Sequence, residues 1–95
     1  MSDFEVGRVY LIETPTFFFL GKVKEVGPLK VFFEKNGCQA NWINDMPTLL
    51  EKGKFANGDE YFPIPHEFNL PFMWVGQTFD FPHPIPAKRS HPPVE

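Results

Sequence analysis

Hydrophobic and polar positions alternate most regularly between Arg8 and Lys35. Successive side chains of a strand point to opposite faces, so Phe17 to Val26 reads as one long strand. Phe17, Phe19, Gly21 and Val23 share one face, and Phe18, Leu20, Lys22 and Lys24 share the other. In the strand that follows, Leu29, Val31 and Phe33 oppose Lys30, Phe32 and Glu34. Setting Val23 across from Val31 buries both and places Gly21 against Phe33. That register leaves Val26-Gly27-Pro28 as the connection, whereas a Gly27-Pro28 turn would put Lys24 opposite Val31 and mix the faces. Gly21 then lets the strand bend, with the Phe33 ring covering the gap. The pattern predicts an all-β fold, a small and strongly bent antiparallel β-barrel with at most one short helix.

Beyond Lys35 the period changes twice. Asn36-Gly37 is a tight-turn signal, because both residues tolerate positive φ, and a returning strand is expected over Cys38, Ala40 and Trp42. Asn44 or Asp45 then caps a helix of a turn or two that accepts Pro47 in its first turn, carries Leu49 and Leu50, and ends at Lys52 and Gly53. Asn57-Gly58 predicts a second hairpin, joining Lys54-Phe55-Ala56 to Glu60-Tyr61-Phe62. Pro63 and Pro65 donate no ladder hydrogen bond, which assigns the second limb to a sheet edge. Phe72 to Phe81 reads as a long closing strand in which Gly76 makes a second bend. The prolines from Pro82 onward exclude regular structure, so residues 1–86 form the expected domain and 87–95 a flexible Pro-rich C-terminal tail.

Composition reinforces this picture. The 95 residues include twelve Phe, two Trp and two Tyr, while eleven Pro and seven Gly favour turns over long helices. A chain this short has a high surface-to-volume ratio and gains from association. The single cysteine, Cys38, rules out an intrachain disulfide and a cysteine-rich zinc site, which makes a reducing cytoplasm the expected location. Met1 to Glu5 has no basic-apolar signal pattern, and no run is apolar enough for a membrane helix. The formal charge of −3 argues against general nucleic-acid affinity but leaves room for a local basic patch.

Candidate chemistry is sparse. His66, His83 and His91 lie in proline-rich sequence without ligand spacing. Cys38 lacks a partner that would make it a nucleophile, and Asp59, Glu60 and Asp80 read as turn and rim charges. No catalytic residue, metal or cofactor is expected. The register above places Lys24 across from Lys30, with Lys22 on the same side, and like charges so placed favour an anion between them. Lys22, Lys24 and Lys30 are therefore the candidate nucleic-acid contacts, set against an ordinary solvated face balanced by Glu25 and Glu34. Trp42 and Trp74 are candidates for base stacking, although burial is the commoner fate of such residues. Phe18, Leu20 and Phe32 form either a subunit interface or the second buried face of a barrel. Phe81-Pro82-His83-Pro84-Ile85-Pro86 reads equally as a polyproline ligand, an arm on a neighbouring subunit or a capped chain end.

A short N-terminal segment, a meander with a bent middle strand, an insertion and a closing strand, over Arg8 to Phe81, resemble the Sm-like (LSm) small barrels, in particular their divergent bacterial or phage-type members. Gly21 in Phe19-Leu20-Gly21-Lys22-Val23 is similar to the glycine of the family's first motif, and Trp74-Val75-Gly76 to its second. The resemblance implies a homo-oligomeric ring in which edge strands of neighbouring subunits pair. Family members hold a nucleobase with an Asp and Met-Asn in the loop after the first motif and with an Arg-Gly in the second. Here the loop is Glu25-Val26-Gly27-Pro28-Leu29-Lys30, and Val75 stands at the arginine. The expected function is a non-enzymatic ring with weak single-stranded RNA binding on the lysine face. The alternative is an SH3-like adaptor that binds protein and no nucleic acid.

Overall fold

The computed structural model describes residues 4–88. Their central element is β2 (Phe18–Val26), and it is long enough to serve two neighbours on one side. Its first half pairs with β4 (Gly37–Trp42) and its second half with β3 (Lys30–Phe33), while β1 (Val9–Glu13) runs along the other side. Both β3 and β4 are antiparallel to β2 and therefore run in the same direction. Asn36-Gly37 thus does not reverse the chain, contrary to the tight turn expected there. Asn36 does take positive φ, at 70°, but the segment offsets one continuous chain path along β2. Gly37 is required by close approach, since a Cβ there would lie 2.6 Å from the Leu20 carbonyl oxygen.

The same path recurs one strand outward. β5 (Glu60–Ile64) pairs with β4, and β6 (Phe68–Pro71) pairs with β3. The register Gly37↔Ile64 and Phe33↔Phe68 continues unbroken across the two links. β7 (Thr78–Asp80) closes the order on the far side of β1, giving β5-β4-β2-β1-β7. The described residues therefore form an antiparallel sheet of seven strands, bent and not closed, with one helix. As Pro63 suggests, β5 is an edge strand.

The β2–β3 register differs from the expected one. Val23 lies across from Phe33 and Val26 across from Val31, with Lys24 as the extra residue of a β-bulge between Val23 and Glu25. The turn is correspondingly tighter. Gly27 donates its N–H to the Lys30 carbonyl at 2.8 Å around Pro28-Leu29. Phe19, Val23, Val31 and Phe33 still share the inner face, because the shift at Val23 is by two positions and preserves the alternation, whereas Leu29, assigned to the same face, falls in the turn and is 76% exposed. Lys24 and Lys30 do not face each other, however, and Lys30 sits across from Pro71.

Two cores form, one on each side of the sheet. Tyr10, Ile12, Val23, Val31, Phe33 and Leu70 fill one side, with Phe4, Phe19, Phe68, Phe72 and Val75 packed around them. Leu11, Leu20, Cys38, Leu49 and Phe81 fill the other. This second core exists because the β4–β5 connection carries α1 (Met46–Lys52) back over the sheet and because the chain after β7 follows it. The helix is built as its sequence indicates. Asp45 caps the N-terminus by accepting from the Thr48 N–H, and Gly53 ends the helix in the left-handed region at φ 73°. His83 Nε2 lies 2.8 Å from the carbonyl oxygen of Leu50, so the Phe81–Pro86 run packs on its own helix.

Three further expectations change. Lys54-Phe55-Ala56 is not a strand. The turn at Asn57-Gly58 forms, but β5 pairs with β4, and the buried Asp59 carboxylate ties the insertion together, accepting from the Asn44 N–H at 2.7 Å and the Ala56 N–H at 2.8 Å. The long closing strand over Phe72 to Phe81 is a 3-10 turn at Phe72–Trp74 followed by the short β7. Gly76 marks the change of direction, its N–H bonded to the Glu13 carbonyl at 2.7 Å. β6 has no counterpart in the sequence reading, although alternating Phe68 and Leu70 before Pro71 is the signal that marks it. Residues 89–95, most of the expected tail, and His91 lie outside the described residues.

Candidate protein-binding surface

The second core decides what the other face of β2 can do. Leu20 is 1% exposed beneath α1 and Phe81, and Phe18 packs against the same cluster. Phe32 is half-buried on the outside of β3, close enough to Gly27 that a Cβ there would lie 3.2 Å from its ring. The three candidate interface residues therefore do not form one patch, and the chain's own helix and C-terminal segment cover the largest part of it.

The lysines are likewise separated. Lys22, Lys24 and Lys30 are all exposed. Lys24 Nζ sits 2.8 Å from Glu67 Oε2, a residue of the β5–β6 link, and this hydrogen bond and charge hold the lysine pKa above its ordinary value. The β-bulge turns Lys24 towards that link and away from Lys30. Of the three, Lys22 and Lys30 remain as exposed cations without the pairing that suggested a phosphate between them.

The candidate nucleophile and carboxylates stand apart from one another among the described residues. Cys38 is 1% exposed, and burial pushes its thiol up to about 12, so it stays protonated and unreactive at neutral pH. Asp59 is engaged with two backbone N–H groups, and Asp80 lies across the sheet near Arg8, at 4.0 Å. Among the described residues no three His, Cys, Asp or Glu side chains stand close enough to hold a metal ion, and no helix is long and apolar enough to cross a membrane.

The structure also exposes large apolar side chains. Trp74 is 53% and Met73 87% exposed, and Trp42 is exposed as well, its indole N–H donating to Asn44 Oδ1 at 2.5 Å. The burial expected of both tryptophans does not occur. For Trp74 the reason is local: in a 3-10 turn three residues complete a circuit, so Phe72 turns into the core while Met73 and Trp74 turn out. The turn is fixed at both ends, by Phe72 N–H to Leu29 O at 3.0 Å and by Gly76 N–H to Glu13 O at 2.7 Å.

Trp74 borders two recesses. One, of about 340 Å³, runs along Phe19, Phe68 and the Pro63–His66 segment. Its floor continues an aromatic series in which Phe17 meets Phe19 edge-on at 6.4 Å, and Phe68 lies 5.8 Å from Phe19 and stacks on Phe33 at 4.8 Å. The other, of about 300 Å³, is lined by Glu13, Thr14, Pro15, Met73, Val75 and Gly76 together with Trp74. The sequence contains the residues of this surface, but the strand assigned to Phe72–Phe81 hid their exposure. Comparison with protein-family models, with curated proteins and with solved structures finds no match for this chain.

Proposed function

We propose that this chain is a non-catalytic binding module, a small Sm-like or SH3-like barrel that presents Trp74 and Met73 to a protein partner. The bent meander and the pairing of β7 with β1 support the barrel reading. The observation that carries the function is the exposure of Trp74 and Met73 on a turn anchored at both ends. A large aromatic held rigidly beside an apolar recess loses little conformational entropy on binding, which is why such residues anchor protein interfaces. Selection of peptides from a displayed random library against the protein, with Trp74→Ala as counter-target, tests this. Enrichment of peptides that need Trp74 is expected, and a pool indifferent to that substitution overturns the reading.

The homo-oligomeric ring with RNA on its lysine face is the second reading, favoured by the exposure of Lys22 and Lys30. Two features weigh against it: the engagement of Lys24 by Glu67 and the prolines along the β5–β6 edge. Phe72 donates to Leu29 and Ile64 accepts from Asn36, so alternation turns the backbone groups of Asn69, Pro71, Tyr61 and Pro63 outward, with Pro65 next on the same side. An edge with proline at those positions cannot accept a regular ladder. A ring predicts a multiple of the 11.0 kDa chain mass by light scattering and RNA affinity that falls on Lys22→Ala and Lys30→Ala. A strict monomer without RNA affinity at low salt leaves the protein-binding module.

A further inference from the structure

The two edges of the sheet are chemically unlike. On β7, Phe81 donates to Val9 and Glu13 donates to Gln77, so the backbone groups of Thr78 and Asp80 point away from β1. Both residues are exposed and neither is proline. β7 is thus the edge that can accept another strand, in contrast to the proline-bearing β5–β6 edge.

The recess beside the start of β7 adds side-chain chemistry to that edge. Among the described residues, Glu13 is the one charged residue of its lining. Its carboxylate reaches the Gly76 backbone, where a Cβ would lie 3.7 Å from Oε1. The exposed Trp74 indole and Pro15 stand on the same recess. An aromatic face beside a carboxylate suits a cation with an apolar stem, which gains cation–π attraction and charge pairing together. A neutral apolar residue would leave Glu13 without a partner, and an acidic one would be repelled.

We infer that β7 binds an extended basic segment of a partner protein as an added strand, with an arginine or lysine side chain seated between Trp74 and Glu13. This rests on the binding-module reading and names the partner's chemistry. A second copy of this chain is a poor occupant, because a three-residue strand presents far less than the roughly 1,200–2,000 Å² that stable interfaces bury, and the copy's own β7 brings Asp80 to the ladder rather than a cation. Strand addition supplies backbone hydrogen bonds as affinity, and the pocket at the strand's end supplies selectivity.

The test uses a probe octapeptide of alternating threonine and valine with one central arginine, compared with versions carrying citrulline or glutamate there, titrated into the full chain and followed by amide NMR and hydrogen exchange. Arginine is expected to bind about fivefold more tightly than citrulline, the size of an exposed cation–π contact, and glutamate more weakly still. The Thr78 and Asp80 amides should gain protection on binding. Glu13→Gln should weaken the arginine preference and Glu13→Gln combined with Trp74→Ala should erase it, each leaving the amide spectrum folded, and N-methylation of alternate peptide nitrogens should abolish binding. Binding without preference for arginine, protection elsewhere than Thr78 and Asp80, indifference to N-methylation, absence of binding, or protection of those amides in a dimer without peptide each overturns the inference. If it fails while library selection still returns Trp74-dependent peptides, the module reading stands and only the basic, strand-adding partner is lost.

Discussion

The Phe33 ring occupies the space that a side chain at Gly21 would need: a Cβ built on the glycine would lie 2.6 Å from Phe33 Cδ1 and 2.9 Å from Cγ. Phe33 is itself fully buried and stacked on Phe68 at 4.8 Å, so the ring has nowhere to go. Glycine at the middle of β2 is therefore part of the core packing as well as of the bend.

Gly21→Ala should destabilise the protein by about 1–3 kcal/mol, the usual penalty of overpacking a core. Urea unfolding measures it. Phe33→Leu in the same chain should recover part of the loss, so that the double variant is more stable than the sum of the two single changes predicts. Strict additivity would mean that the contact does not govern the glycine.

The proline edge makes a separate prediction. Replacing Pro63, Pro65 and Pro71 together with threonine restores outward N–H donors and a β-favouring side chain along β5 and β6. The triple variant should self-associate with rising concentration in size-exclusion chromatography coupled to light scattering, under conditions in which the parent chain shows less association. Equal behaviour of the two proteins would remove the assigned protective role.

Cys38 should report global unfolding. Its thiol is buried and held at about 12, so a disulfide reagent at neutral pH should modify it at a rate that tracks urea concentration and the unfolding equilibrium. The pH effect has a definite sign. The folded thiol pKa stands above the ordinary value of 9.0, so this contribution to stability is fully present below pH 9 and is lost as pH rises from there towards about 12. Cys38→Ala should flatten that alkaline loss, measured as the urea midpoint against pH.

Asp45 acts at the opposite end of the scale. The Thr48 hydroxyl and backbone N–H both donate to its carboxylate, at 2.7 Å and 3.1 Å, and hold its pKa below the ordinary 3.8. A depressed folded pKa gives stability that is present above the unfolded value and lost as pH falls through the folded one. The side chain is solvent-exposed, so the effect should be small and screened by salt. Carboxyl carbon NMR titration should show the depressed midpoint, and Thr48→Ala should move it back towards 3.8.

Local features were legible in the chain. The ends of α1, from the Asp45 cap to the left-handed Gly53, follow from residue types that act within one turn. The span of β2, the membership of its inner face and the edge position of β5 follow from alternation and from the missing proline donor. Period and punctuation determine these because the physics involved reaches only a few residues along the chain.

Tertiary structure decided the rest. Alternation groups Phe18 with Leu20 but is silent on what covers them, and the cover is α1 and Phe81, brought from elsewhere in the sequence. It likewise sorts Lys24 and Lys30 to one side, yet the β-bulge and Glu67 set them apart. Asn36-Gly37 has the residues of a reversal, but β2 is long enough to pair with both β3 and β4, so the chain continues along it. The exposure of Trp74 depends on a turn anchored to Leu29 and Glu13, residues far from it in the chain. Each outcome rests on a pairing between distant segments, whose free energy depends on every surface buried at once and is therefore not written in any local stretch.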